Sequence, residues 1–241
     1  MITGLDHVGL AVDDPEAATR AYGLLLGAAP VSGRRFQLEN MALEIAAGGA
    51  EPAFGLGFAS PDFAETRRVL ERRGVPAEGR DRDHGALLSL QATHGVAIAL
   101  VEARPFAPPP PRADAPHALD HVVIHTPNPE RAVALYGGRL GLDLRLDRAN
   151  PQWGTRLLFF RCGGAVVEIS ADLKSPVSDG PDRITGLAWR VADPDAAQAR
   201  LAAAGLDVSP VRAGRKPGTR VFTVRAGVPC APALMLGGAD T

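Results

Sequence analysis

The tetrapeptide Leu-Asp-His-Val occurs twice in this chain, at Leu5–Val8 and at Leu119–Val122, with an offset of 119 − 5 = 114 residues. The same offset relates Pro15-Glu16 to Pro129-Glu130, Tyr22-Gly23 to Tyr136-Gly137 and Leu26-Gly27 to Leu140-Gly141. A repeat of this length constrains the fold strongly, because the chain must pack two copies of one supersecondary unit. Each copy also carries a histidine, able to bind a metal or move a proton, at the third position of an apolar segment.

At 241 residues the chain is long enough for two ordinary domains with full cores. Its hydrophobic content of 46% and charged content of 22% are ordinary for a globular protein. No apolar run approaches the ~18 residues of a membrane span, so no membrane partner is expected. Met1-Ile2-Thr3-Gly4 leads straight into the repeat without a basic or apolar leader, and a cytoplasmic location is the expectation. A net charge of −1 supplies no broad basic face, which argues against nucleic acid as a partner. Cys162 and Cys230 lack metal or redox spacing and read as reduced, buried thiols.

Between the halves, Pro105-Phe106-Ala107-Pro108-Pro109-Pro110-Pro111-Arg112 must run extended and cannot join a sheet interior. It predicts a semi-rigid linker over 104–117, with domains at 1–103 and 118–241. Each half divides again, since a weaker strand-then-helix pattern begins near Phe54 and near Ile184. The odd modules open on strands at Leu5–Val12 and Leu119–Thr126. A Pro-Glu pair then starts a helix, and Gly27 or Gly141 stops it. Strands follow at Arg35–Glu39 and Met41–Ala46, and at Arg156–Arg161 and Ala165–Ser170, the latter two joined by Gly163-Gly164. The even modules read as strands Gly55–Ala59 and Gly186–Val191, helices Glu65–Arg73 and Ala196–Ala204, then Ala86–Gln91 with Val96–Glu102 and Arg220–Arg225 with Ala233–Leu236. The predicted pattern is βαβββ four times. A single module buries only one face of a short sheet, so modules must pair.

This combination resembles the vicinal oxygen chelate superfamily, the glyoxalase, bleomycin-resistance and extradiol-dioxygenase group. The resemblance rests on the Leu-Asp-His-Val, Pro-Glu, Tyr and Leu-Gly series at 5–27 and 119–141, on strands Ala42-Leu43-Glu44-Ile45 and Val166-Val167-Glu168-Ile169, and on the units from Gly55 to Gly74 and Gly186 to Gly205. It implies an α+β fold of two tandem domains, each of two paired βαβββ modules forming a cupped mixed sheet with helices outside. It also implies a divalent metal (Zn, Ni, Mn or Fe) held by His and Glu, which would stabilise charge on neighbouring substrate oxygens. On that pattern His7, Glu44, His121 and Glu168 are the metal ligands, and Glu44 or Glu168 doubles as catalytic base. Of the matching even-module positions, Gly55 and Ala99 cannot bind a metal, and Gly186 with Leu234 or Met235 leaves the second ligand set half complete as well.

Three roles for the repeated histidines therefore stay open: packing the cup as structural residues, serving as half of a metal site in each domain, or meeting in one shared site of two His and two Glu. A Glu among apolar residues on an inner strand needs a partner, whether metal, Arg, histidine or cleft water. Without a metal, a His-Glu pair could still do acid–base work. The second half gains (168 − 44) − 114 = 10 residues between first strand and carboxylate, around Leu146–Arg156. A loop carrying Asn150, Gln152, Trp153 and Arg156 suits recognition at a cleft rim. Phe160 and His125, the latter ~13 Å along the strand from His121, complete the candidate substrate contacts. His84 and His94 read as solvated turn residues, and His117 belongs to the linker end.

The expected function is that of a glyoxalase, bleomycin-resistance or dioxygenase-like protein holding a small organic molecule in a cleft of the second domain. Two versions stand: a metal-dependent lyase, isomerase or dioxygenase, or a metal-free binding and sequestration protein. The expected partner is a small-molecule ligand, with a homodimer as an option.

Overall fold

The computed structural model describes residues 1–49, 53–80, 85–105, 107–230 and 232–238. Module one comprises β1 (Gly4–Val12), α1 (Pro15–Leu26), β2 (Arg35–Gln37) and β3 (Ala42–Ala47); module two comprises β4 (Ala53–Ser60), α2 (Phe63–Arg72), β5 (Ala77–Arg80), β6 (Ala86–Leu88) and β7 (Ala97–Glu102). Module three contains β8 (Pro116–His125), α3 (Pro129–Ala132) running on as a π-helix (Val133–Arg139), β9 (Asp143–Asn150), β10 (Thr155–Cys162) and β11 (Ala165–Asp172). Module four contains β12 (Arg183–Val191), α4 (Pro194–Ala203), β13 (Asp207–Val208), β14 (Arg212–Ala213), β15 (Thr219–Ala226) and β16 (Ala233–Gly238).

The four helices begin alike. Asp14, Asp62, Asn128 and Asp193 cap them, each side chain accepting a first-turn backbone N–H. Counting back seven residues from each cap reaches His7, Gly55, His121 and Gly186, so the caps confirm that these four positions correspond. Gly27 ends α1 at φ 61°, a left-handed turn that a residue with a Cβ adopts only with strain.

One seven-stranded sheet runs β2-β3-β1-β4-β7-β6-β5, and the other runs β13-β15-β16-β12-β8-β11-β10-β9, with β14 paired to β15 as its ninth strand. The α+β architecture expected from the sequence is thus the one observed. Two local expectations change. Among the described residues module one has three strands rather than four, and the extra residues of module three form strand β9 instead of a long rim loop. Asn150 ends β9, Gln152 and Trp153 lie in the turn, and Arg156 is inside β10. An edge strand exposed on both faces shows little apolar alternation, so its sequence reads as loop.

Packing groups the chain into two compact units, one of Met1–Val8, Phe54–Phe106 and Val122–Thr185, the other of Gly9–Ala53, Ala107–His121 and Gly186–Thr241. In the first, Arg73 donates to the Arg139 carbonyl at 3.0 Å and the Asp182 N–H to the His94 carbonyl at 2.8 Å. Its core includes Tyr136 and Phe160, whose rings are tilted at 5.9 Å. In the second, Arg200 donates to the carbonyls of Leu24, Leu25 and Asp114, and the Tyr22 hydroxyl donates to the Pro229 carbonyl at 3.0 Å. Asn40 exchanges two hydrogen bonds with the backbone of Leu119, at 2.7 and 3.0 Å.

Candidate functional site

The repeated tetrapeptide contains its own hydrogen bond. His7 Nδ1 lies 2.9 Å from Asp6 Oδ2, and His121 Nδ1 lies 2.8 Å from Asp120 Oδ1. An ionised carboxylate only accepts, so Nδ1 carries the hydrogen and Nε2 is the basic nitrogen of each neutral ring. In the second copy Arg190 Nε donates to Asp120 Oδ2 at 2.9 Å. Burial opposes ionisation of Asp120, but the hydrogen bonds from His121 and Arg190 outweigh it and hold the carboxyl down to about 2.

Because this carboxyl sits below its ordinary value of 3.8, its contribution to stability is complete above about pH 4 and is lost as the pH falls towards 2. The urea midpoint should therefore drop over that interval, and the drop should be smaller in Asp120→Asn. Parallel pH profiles for the two proteins would contradict the assignment.

The surroundings of the two histidines differ. His7 is buried, and its imidazole lies where a side chain at position 57 would stand: a Cβ built on Gly57 would come within 2.1 Å of the ring. Gly57 is paired with Ala99 in the β4–β7 register. Both small residues come from the strands that would supply second-module ligands, and the His7 ring occupies the room they leave. His121 is more open, with 15% of its side chain exposed against 9% for His7.

The carboxylates differ too. Glu44 stands opposite Arg35 in the β2–β3 register, and the two side chains form an ion pair. Glu168 occupies the matching place in the β10–β11 hairpin, but the residue opposite is Phe159. The separations are the same, 44 − 35 = 9 and 168 − 159 = 9, so an arginine in one half is replaced by a phenyl ring in the other.

In register across β9, β10 and β11, Leu146, Phe159 and Glu168 form one row and Arg148, Leu157 and Ser170 the next, all on one face. The opposite face carries Leu158, Phe160, Val167 and Ile169, all buried, with Tyr136 of the π-helix against Phe160. The Leu146 face is the open one: Phe159, Leu157 and Glu168 are half-buried, and Leu146 is 47% exposed. Period-2 alternation, buried against half-buried, is the signal that separates these faces.

The remaining candidates scatter. Phe160 is enclosed in the helix-covered core. The Arg156 guanidinium is held by Asp147 at 2.9 and 2.7 Å and by Glu130 at 2.6 Å, and these bonds first from Asp147 and then from Glu130 keep it firmly protonated. The Asn150 carbonyl oxygen accepts from the Trp153 N–H at 3.2 Å, and the Trp153 side chain is 54% exposed in the turn. Gln152 is exposed in the same turn, and His125 is exposed at the end of β8. His94 is half-buried at φ 56°, with burial and then Arg131 lowering its pKa, so it is less solvated than its turn position implies. His84 lies outside the described residues. Cys162 and Cys230 are free thiols, and burial raises the former to about 12. Leu157 and Phe159, missed in the sequence, were identifiable only from the hairpin register.

A carboxylate behind Nδ1 commonly supports a metal-bound histidine, so each Nε2 could be one ligand. The rest of a donor set does not accompany it. Glu44 is committed to Arg35, Gly55, Gly57, Ala99 and Gly186 supply no donor, and among the described residues no three His, Cys, Asp or Glu side chains are grouped to hold a metal ion. The residues present do not fit a resident metal.

Residues 120–223 match the family model described as the Glyoxalase/Bleomycin resistance protein/Dioxygenase superfamily. No curated protein sequence matches the chain. Among solved structures, a variant of 4-hydroxymandelate synthase from Streptomyces coelicolor has TM-score 0.74 and 15% identity, covering 100% of this chain and 94% of that one. A 2,2',3-trihydroxybiphenyl 1,2-dioxygenase from Sphingomonas wittichii has TM-score 0.72 and 15% identity, covering 99% and 91%. The Mn(II)-bound glyoxalase from Novosphingobium aromaticivorans has TM-score 0.71 and 18% identity, covering 99% and 83%. At such identities these structures speak for the fold alone. The family match is thus to residues 120–223, and the structures show the same fold over the whole chain. No helix among the described residues is long and apolar enough to cross a membrane.

Proposed function

We propose that the protein binds a small, largely apolar organic molecule on the open face of β9–β11 and does so without a resident metal. The observation that carries this reading is the exchange of Arg35 for Phe159 opposite the repeated carboxylate. In module one that place is closed by an ion pair. In module three Leu146, Phe159 and Leu157 instead offer a half-exposed apolar surface with a carboxylate beside it, the mix of walls and few polar groups from which ligand sites are built. The incomplete donor set favours binding over metal-assisted catalysis.

The test uses protein purified without a metal-affinity tag and dialysed against chelator, then screened by thermal shift against small aromatic and aliphatic compounds. Stabilising compounds should act equally with and without added divalent metal, and Phe159→Asp should abolish their effect. Stoichiometric transition metal that survives chelation and disappears in a His121→Ala, Glu168→Ala variant would overturn the reading.

A further inference from the structure

Arg148 stands on the same open face, exposed near the end of β9. The arginines around it are committed, Arg145 to Asp143 at 3.0 Å and Arg156 to Asp147 and Glu130. Arg148 has no hydrogen-bond or ion-pair partner among the described residues.

The register gives the reason. On its own face Arg148 is flanked along β9 by Leu146 and Asn150; across the hairpin it stands opposite Leu157, with Thr155 and Phe159 on the diagonals. None of them carries a charge. Asp147, next in the chain, points to the other face and is held there by Arg156. Arg161, also exposed on this face, is placed differently, because its register partner on β9 is Asp143 and a carboxylate already shares its row. Glu168 lies two strands from Arg148 and in the next row, about 10 Å away at the usual strand spacing. It therefore leaves the guanidinium uncommitted.

A guanidinium set among uncharged neighbours suits one kind of ligand group above others. Its planar donors match the two oxygens of a carboxylate in parallel hydrogen bonds. Half-buried Leu157 and Phe159 keep water from one side of such a pair, which strengthens it over a fully solvated one. The Phe159 ring, on the diagonal at ~7–8 Å, is within reach of the body of a molecule whose carboxylate rests on Arg148, and a phenyl ring favours an aromatic partner. Glu168 on the far side disfavours a second anionic group.

We infer that the ligand of this face is an aromatic monocarboxylate, its ring on Phe159 and Leu157 and its carboxylate held by Arg148. This rests on the reading of β9–β11 as a small-molecule site and adds the chemical class of the molecule.

2-Naphthoate, fluorescent and ionised at pH 7, is a suitable probe, with 2-naphthamide as the neutral analogue of the same shape. Fluorescence titration of the full chain should show saturable binding of both, naphthoate about tenfold tighter, the scale of one charge-assisted contact. Added salt should narrow that gap. Arg148→Met keeps the aliphatic stem and removes the charge, so the two compounds should bind that variant alike. Arg145→Met, which removes the same charge from the same strand, should retain the preference for naphthoate. Phe159→Asp should abolish binding of both.

Equal affinity of the wild-type chain for naphthoate and naphthamide, with both lost in Phe159→Asp, would overturn the carboxylate inference and leave the face as a small-molecule site. A preference that survives Arg148→Met, or that falls as far in Arg145→Met, would overturn it too. Naphthoate binding that persists in Phe159→Asp, with the variant shown by circular dichroism to be folded, would place the probe elsewhere and overturn it. So would the absence of binding by either compound, and the metal-free compound screen then decides the reading of the face separately.

Discussion

Asp182→Ala is expected to cost roughly 3–5 kcal/mol of folding stability, read as a fall in the urea midpoint. The Asp182 side chain has no exposed surface, and its Oδ1 accepts from Arg131 Nη2 and from Thr126 Oγ1, each at 2.7 Å. Arg131 is only 15% exposed and also donates to the Gly180 carbonyl at 2.7 Å. Removing the carboxylate strands a largely buried cation, and that penalty exceeds the net worth of the pair itself. Joint replacement, Asp182→Leu with Arg131→Met, should therefore recover much of the loss. A single-variant cost below about 1 kcal/mol, the scale of an exposed ion pair, would show that water reaches the pair freely.

The second large effect is at Gly57. Its added methyl would collide with the His7 imidazole, a ring packed among neighbours rather than the loose end of a flexible chain. Gly57→Ala should destabilise by about 1–3 kcal/mol, the usual cost of overpacking. If the ring is what resists, Gly57→Ala combined with His7→Ala should cost at least about 1 kcal/mol less than the sum of the single changes, because the methyl then enters space the imidazole has left. Strict additivity would place the strain elsewhere, for example in the β4 backbone.

Both experiments bear on how far local sequence carries. Its clearest information lay in the repeat and its punctuation. The Pro-Glu pairs at 15–16 and 129–130 that open helices, and the glycines Gly27, Gly74, Gly141 and Gly205 after them, are local devices whose chemistry acts over three or four residues, and the structure adds the caps Asp14, Asp62, Asn128 and Asp193. The inner strands were equally legible, because one buried face imposes alternation on Val166 to Ile169 and on Leu5 to Val12.

Failures came where no local signal exists. Strand β9 has neither face in the core, so Asp143 to Asn150 shows nothing that marks a strand. The π-helical turn after Ala132 has no local mark either, since Tyr136-Gly137 repeats Tyr22-Gly23 while the structures differ. Gly138 stands where the first copy has Leu24, and adjacent glycines cost a helix its regular hydrogen bonding more readily than a Gly-Leu pair does. Arg156 and Phe160 are held on the helix-covered face by the parity of β10, which depends on where the strand begins.

The sequence by itself determined the α+β class: its repeats, helix-stopping glycines and apolar periods act between neighbours along the chain, and they mark four strand-and-helix modules. It also determined that each half carries one histidine on its first strand and one inner-strand glutamate. Only the tertiary structure decided what those residues meet. That Glu44 faces an arginine and Glu168 a phenyl ring follows from hairpin register. That His7 fills the space over Gly57 follows from two strands 57 − 7 = 50 residues apart lying together in one sheet. Such pairings are set by the packing of the whole core, and no short stretch of chain contains them.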